Sequence, residues 1–258
     1  MQAEILHSFH LALKNEEFQI YFQPKISPAN RKDLQCGNTG PLAPQWRKYS
    51  GPLLCTFHFL SRMVLSSAWI IMFMKKPSKW LQKFSDQLPT DFRISLNVSP
   101  QHFEEPEIFV KKIRELIRTY HVDTFRLTFE ITESTYVNNT EAVNCVIRGL
   151  KKHNIQISMD DFGSGYSSLN ALKDLLFNEV KIDRKFLGDS LTENAKIVLQ
   201  EVFHMLKRMG KSIVCEGVET EDIAEFLKEE GCDEIQGFLY YRPMCEEDFE
   251  KLFHTPTA

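Results

Sequence analysis

At 258 residues the chain has room for two small domains or one large α/β barrel, at roughly 150 residues per domain. Apolar residues at 43% and charged residues at 26% exclude wholesale disorder, a collagen-like repeat and a disulfide-dense mini-protein. With 31 Lys+Arg against 35 Asp+Glu, the net charge of −4 supplies no general pull toward DNA, RNA or an anionic membrane, so any phosphate ligand needs a local site.

Cys36, Cys55, Cys145, Cys215, Cys232 and Cys245 are scattered without a CxxC pair, and no charged-then-apolar signal opens the chain. Reduced thiols in a cytoplasmic protein are the expectation, and a zinc site is not.

The stretch from Ala3 to Lys14 places Ile5, Leu6, Phe9, Leu11 and Leu13 near a helical stripe. It leads into an alternating run, Phe18 to Phe22, that reads as a strand ended by Gln23-Pro24. Between Arg31 and Lys83 the composition changes: nine basic residues accompany a single acid, Asp33. Gly37, Gly40, Pro41, Pro44, Gly51 and Pro52 break the first half of this segment, and no sustained period is visible until about Trp80. Within it, Leu53 to Met74 comes nearest to a membrane segment. It contains His58 and Arg62, however, and its unbroken part, Met63 to Met74, is only 12 residues, where a span needs about 20. Membrane insertion is therefore not expected.

From Phe92 onward the pattern is regular. Short β-rich runs (Phe92–Val98, Phe125–Ile131, Ile155–Met159, Glu179–Ile182, Ile213–Cys215, Glu234–Ile235) alternate with amphipathic stretches. One stretch carries Ile108, Phe109, Ile113, Leu116 and Ile117, and another, beginning at the cap candidate Thr140, carries Val143, Val146, Ile147 and Leu150. Such alternation predicts parallel strands covered by helices.

The informative residues stand at the ends of these runs. Asn97, Glu130, Asp160-Asp161, Lys181, Glu216 and Gln236 each close or follow one, at intervals of roughly one strand plus one helix. In a (β/α)8 barrel, strand ends meet at one rim, so these side chains would converge there. Asn97, Glu130, Asp160, Asp161 and Glu216 make a hard oxygen cluster suited to Mg²⁺ or Mn²⁺. Two such ions about 3.5 to 4 Å apart can clamp a phosphodiester during in-line displacement. Lys181 can offset developing negative charge or hold an attacking water, and Gln23 and Gln236 can orient substrate or water.

Singly, each residue also has a structural reading. Asp160-Asp161 before Phe162-Gly163 could be turn and cap chemistry, and Asn97 before Ser99-Pro100 a helix-entry turn. Glu130 could be an edge-strand charge, Lys181 a partner of Asp183, and Glu216 a cap at Gly217. Their joint placement is what favours a site.

Seven strings carry a family resemblance: Tyr21-Phe22-Gln23-Pro24-Lys25, Leu96-Asn97-Val98-Ser99-Pro100, Phe129-Glu130-Ile131-Thr132-Glu133, the decapeptide from Asp160 to Leu169, Val180-Lys181-Ile182-Asp183, Glu216-Gly217-Val218-Glu219-Thr220 and Gln236-Gly237-Phe238-Leu239. In order and spacing they resemble the EAL domain, over about residues 3 to 28 and 79 to 254. The resemblance implies one TIM-like (β/α)8 barrel with an atypical first strand, irregular across about 31–78. It implies hydrolysis of the bacterial messenger cyclic di-GMP to linear pGpG with Mg²⁺ or Mn²⁺. By position, Asn97, Glu130 and Asp160 look like metal ligands, and Asp161 like a ligand of a second metal. Lys181 resembles the family's water-orienting lysine, Glu216 a metal-site carboxylate, and Gln236 the site glutamine. Gln23 is similar to a substrate contact, and Glu219 to the glutamate that braces the loop after Asp161. A homodimer is also implied. With no cyclase, receiver or sensor segment before residue 3, the chain reads as a stand-alone output module.

One departure is large. The signature Glu-Ala-Leu, whose glutamate is a metal ligand, is missing between Ile26 and Phe84, as is the arginine expected beside it. Abrupt loss of pattern at Arg31 and clean recovery near Trp80 imply that Arg31 to about Ser78 is read in a shifted frame, by gene decay or sequence error. The alternative is a degenerate relative that binds nucleotide or a partner without turnover.

Overall fold

Eight strands close on one another in a computed structural model that describes residues 21–28, 34–37, 68–164, 176–188 and 191–254, with 34–37, 68–74 and 254 described by backbone alone. They are β1 (Tyr21–Ile26), β2 (Leu34–Gly37), β3 (Ile94–Asn97), β4 (Leu127–Thr132), β5 (Gln156–Phe162), β6 (Glu179–Ile182), β7 (Ser212–Glu216) and β8 (Glu234–Gln236). From β2 to β8 each strand pairs in parallel with the next, and β1 closes the ring by running antiparallel to both β8 and β2. This is the TIM-like barrel with an atypical first strand that the resemblance implies. A two-residue strand, β9 (Met244–Cys245), pairs with the start of β1.

The described helices are α1 (Ala68–Phe84), α2 (Pro106–Tyr120), α3 (Glu133–Asn138), α4 (Thr140–Lys151), the single turn α5 (Arg184–Leu187), α6 (Glu193–Arg208), α7 (Glu221–Glu229) and α8 (Glu246–His254). Parallel neighbours need crossovers, and among the described residues helices supply them from β2 to β3, β3 to β4, β4 to β5, β6 to β7 and β7 to β8. In α4, Val143, Val146, Ile147 and Leu150 are all buried, as their spacing predicts. In α2, Phe109, Ile113 and Leu116 are buried, but Ile108 is 45% exposed, because a step of one residue turns the side chain by about 100° off the stripe. The cap of α4 is Asn139 rather than Thr140. The Thr140 hydroxyl instead donates to the Tyr136 carbonyl at 2.9 Å, since α3 runs almost directly into α4.

Two other expectations change. Gln23-Pro24 does not end the first strand, which continues to Ile26. Pairing with β8 is confined to Ile26, so the stretch around Pro24 has one flank outside that ladder, where a strand tolerates proline. The segment 31–78 is not without regular structure either. Leu34–Gly37 forms the closing strand, and α1 begins at Ala68, well before Trp80. Its stripe, Pro77, Trp80, Leu81 and Phe84, is buried at i, i+3, i+4 and i+7, and Pro77 within it obscures the helical reading. The expected helix from Ala3 to Lys14, and most of Leu53 to Met74, lie outside the described residues. Among the described residues no helix is long and apolar enough to cross a membrane.

Trp80 anchors α1. Its ring lies 4.9 Å from Phe84, 5.8 Å from Phe22 of β1 and 5.2 Å from Phe249 of α8. Full burial of a large apolar side chain is worth about 1.5–3 kcal/mol, so this cluster ties α1 and α8 to the outer face of β1. Alternation along β1 then turns Gln23 and Lys25 to the opposite, barrel-interior face, where both are buried.

Candidate active and metal site

The barrel interior is lined at one end by ionisable groups from four adjacent strands. Glu130 lies within β4, in register with Asn97 at the end of β3. Asp160 lies in β5 opposite Thr132, Lys181 in β6 opposite Val214, and Glu216 ends β7 opposite Gln236. Because β4 has paired strands on both sides, Glu130 is not an edge-strand charge.

Lys181 holds the group together. Its ammonium lies 2.9 Å from Glu130 Oε2, 3.0 Å from Asp160 Oδ1 and 2.6 Å from Glu216 Oε1. Burial works against that charge, but Asp160, Glu130 and Glu216 outweigh it and hold Lys181 well above the usual lysine range. The lysine's alternative partner, Asp183, turns instead to cap α5 by accepting from the Lys185 N–H at 2.7 Å.

Asp160-Asp161 sit in an irregularity of β5, where the register with β6 shifts between Met159 and Phe162. Asp161 has φ of +58°, a left-handed conformation that costs a non-glycine residue energy and is found where a side chain must be re-aimed. Its N–H donates to Asp160 Oδ1 at 3.0 Å. Carboxylate oxygens of Asp160, Asp161 and Glu216 all come within 4.8 Å of one another. Burial, with Asp160 and Asp183 nearby, pushes Asp161 up to about 6 against the pull of Lys181. Burial likewise pushes Glu216 up to about 7, opposed by Lys181 and reinforced by Asp160 and Glu130. Crowded, partly desolvated carboxylates of this kind fit a divalent cation, whose charge would offset their repulsion.

The glutamines meet beside this cluster. Gln236 Nε2 donates to Gln23 Oε1 at 3.0 Å, and Gln23 Nε2 donates to the Tyr241 carbonyl at 3.1 Å. Gln236 Oε1 is buried and accepts from none of the described residues. Gly237 is required next to it, because a Cβ there would lie 2.0 Å from the Val218 carbonyl oxygen. The end of β8 can therefore press against the loop after Glu216.

The structure thus brings Glu130, Asp160, Asp161, Lys181 and Glu216 together, with Gln23 joined to Gln236. Asn97 is exposed at the end of β3, three residues before a one-turn 3-10 helix, Pro100–Phe103, with Ser99 at the N-cap position in front of it. Glu219 pairs with Arg184 of α5, at 2.5 and 3.3 Å. Residues 165–175 of the loop it was expected to brace lie outside the described residues. At the base of that loop, the Gly163 N–H donates to Glu133 Oε2 at 3.2 Å, a contact that sequence reading missed.

Lys25 was missed as well. It is buried, donates to Ser95 Oγ at 3.0 Å, and reaches Glu130 Oε1 and Glu179 Oε1, each at 3.4 Å. Its position two residues after Gln23, on the same face of a strand, was the available signal.

Comparison with known proteins bears on the whole chain. The model of the EAL domain matches residues 7–243. An uncharacterized protein of Synechocystis, sll1895, is 32% identical over 254 residues, covering 95% of this chain and 35% of that protein. The cyclic di-GMP phosphodiesterase PA2567 of Pseudomonas aeruginosa is 31% identical over 257 residues, covering 95% of this chain and 42% of that protein. The chain therefore spans less than half the length of these two relatives. Among solved structures, the PaMucR phosphodiesterase in complex with c-di-GMP superposes with a TM-score of 0.75 at 26% identity, covering 90% of this chain and 99% of that one. A match across most of its length, together with the barrel and its inward-facing acids, shows that this chain belongs to the EAL domain family.

Proposed function

We propose that this barrel is a cyclic di-GMP phosphodiesterase site, cleaving one phosphodiester bond to give linear pGpG. The observation that carries it is the convergence of Glu130, Asp160 and Glu216 on Lys181, beside the joined pair Gln23 and Gln236. The PA2567 and PaMucR relatives, named as phosphodiesterases, support the same reading.

In this reading Asn97, Glu130, Asp160, Asp161 and Glu216 would hold Mg²⁺ or Mn²⁺, with Asp161 serving a second ion. A bound divalent ion supplies a Lewis acid for phosphoryl oxygens and a water of lowered pKa. The remaining work falls to this chain's own side chains. Lys181, kept charged by three carboxylates, offsets negative charge as the phosphorus is attacked and can orient the attacking water. Gln236 Oε1, buried and accepting from none of the described residues, is available to a substrate donor, and Gln23 fixes the amide that carries it. Glu219, through Arg184, holds the turn after β7 against α5. The same reading makes the chain a single cytoplasmic EAL domain that forms a homodimer.

A second reading has one specific observation in its favour. The strand β2 and its surroundings, from Ile26 to Phe84, contain no glutamate, and Asp33 is their only acid. A chain translated as written would then bind the nucleotide with little turnover, because residues sharing one catalytic cluster act as a unit. We propose that Arg31 to about Ser78 is frame-shifted relative to the sequence the barrel evolved with. Resequencing the gene tests this: a paired insertion and deletion restoring Glu-Ala-Leu is expected, and an unchanged reading frame removes the idea.

The functional test is Mn²⁺-dependent conversion of cyclic di-GMP to pGpG, run beside nucleotide binding without metal. Turnover supports the phosphodiesterase, and binding without turnover supports the second reading. Absence of both would overturn the nucleotide assignment.

A further inference from the structure

Glu130 is the one carboxylate that both buried lysines share among the described ion pairs. Lys181 takes its Oε2 at 2.9 Å, while Lys25 reaches its Oε1 at 3.4 Å. The two ammonium groups come from different walls, Lys181 from β6 and Lys25 from β1 across the barrel interior. Lys25 is 2% exposed and is held by three strands at once, through Ser95 of β3, Glu130 of β4 and Glu179 of β6.

We infer that Lys25 is a positioning residue, fixing the plane of the Glu130 carboxylate so that its oxygens present correctly to a divalent cation. The inference rests on the metal reading of Glu130 proposed above. A side chain gripped at one oxygen can still swing about its last bond, and one gripped at both cannot. Hydrogen-bonding partners behind a metal ligand commonly change metal affinity by about 10- to 100-fold when removed. A purely structural Lys25 would be satisfied by Glu179, which leaves the reach to Glu130 unexplained.

Electrostatics makes the two roles separable. Deleting a positive charge near a cation site strengthens cation binding by Coulomb's law, so weaker binding after deletion reports lost position and not lost charge. The experiment titrates Mn²⁺ by electron paramagnetic resonance into the wild type, Lys25→Met, Ser95→Ala and Glu179→Gln, with thermal melting of each. Lys25→Met is expected to weaken Mn²⁺ binding by about 10-fold or more. Glu179→Gln keeps an acceptor oxygen for Lys25 and removes only the charge, so it is expected to lower the melting temperature while leaving Mn²⁺ affinity within about twofold.

Ser95→Ala removes the shortest contact of Lys25 without altering the charge count, and a severalfold loss of Mn²⁺ affinity is expected. It decides the matter if Lys25→Met fails to fold. Unchanged or tighter Mn²⁺ binding in Lys25→Met, or unchanged binding in Ser95→Ala where Lys25→Met does not fold, overturns the positioning role alone. A wild-type protein that binds no Mn²⁺ overturns the metal reading, and this inference with it.

Discussion

Strands β4 to β7 each bring a carboxylate or an ammonium group to the candidate site, whereas β2, which completes the same barrel between β1 and β3, reads Leu34-Gln35-Cys36-Gly37 and contains neither. As hydrogen-bonded ladders the two regions are alike, since β2 pairs with β1 over four residues and with β3 over two. As chemistry they differ. Ladder pairing uses backbone N–H and C=O groups that nearly every residue carries, so a wall can be closed by an altered sequence. A metal ligand needs one particular side chain at one particular strand position, and nothing in the ladder replaces it.

The sharpest way to break this comparison is to restore the missing chemistry. A chain in which a frame-corrected Glu-Ala-Leu segment replaces Arg31 to Ser78 is expected to gain turnover of cyclic di-GMP by about 10³-fold or more, with nucleotide affinity changing far less. Steady-state kinetics set against calorimetric binding checks it, and equal turnover in both chains would mean that the β2 wall contributes no catalytic group.

Next in size is the packing of the altered region. Trp80 of α1 is buried against Phe22, Phe84 and Phe249, so Trp80→Ala is expected to cost about 3–5 kcal/mol in urea unfolding. A loss below about 1 kcal/mol would show that α1 does not belong to the core on which β1 rests.

The acidic wall has a pH signature of its own. Asp161 at about 6 and Glu216 at about 7 stand above the ordinary values of 3.8 and 4.5. The folded state therefore binds more protons than the unfolded chain between about pH 4 and 7, and stability falls as pH rises through that window. Metal-free protein should accordingly melt higher at pH 5.5 than at pH 7.5, and saturating Mn²⁺, which favours ionised carboxylates, should shrink or reverse the difference. Glu234, pushed up to about 7 chiefly by burial and away from this cluster, leaves a remainder that Mn²⁺ does not remove. A melting temperature that rises with pH in the absence of metal would contradict the raised carboxyls.

The smallest effect belongs to the rim. Glu219 and Arg184 are 39% and 52% exposed, so Glu219→Ala is expected to cost no more than about 1 kcal/mol in stability. If it also lowers turnover more than tenfold, Glu219 acts on the site through the loop after Asp161, and urea melts beside kinetics separate the two roles.

Much of the architecture was legible because period and spacing are local properties. The run from Glu179 to Ile182 reads as a strand by its residues alone, and Val143, Val146, Ile147 and Leu150 announce a buried helical stripe. The misreadings share a cause. Pro24 and Pro77 look like stops, yet one lies in a strand with an open flank and the other inside a helix whose Trp80 face is covered by aromatic rings. Tertiary packing overrode the local signal at both positions.

By itself, then, the order of residues determined the strand–helix alternation, the placement of Asn97, Glu130, Asp160, Lys181, Glu216 and Gln236 on successive strands, and the absence of an acid where β2 runs, whereas the structure puts Glu130, Asp160 and Lys181 inside their strands and not at the last residue. Only the tertiary structure decided which charges face one another. Lys25 and Glu130 are 105 residues apart in sequence and Lys181 and Glu130 are 51 apart, yet closure of the barrel puts both ammonium groups on one carboxylate. Strand spacing and period say where a side chain points. Which partner it meets across the interior depends on how the ring closes, and that is set by all eight strands together.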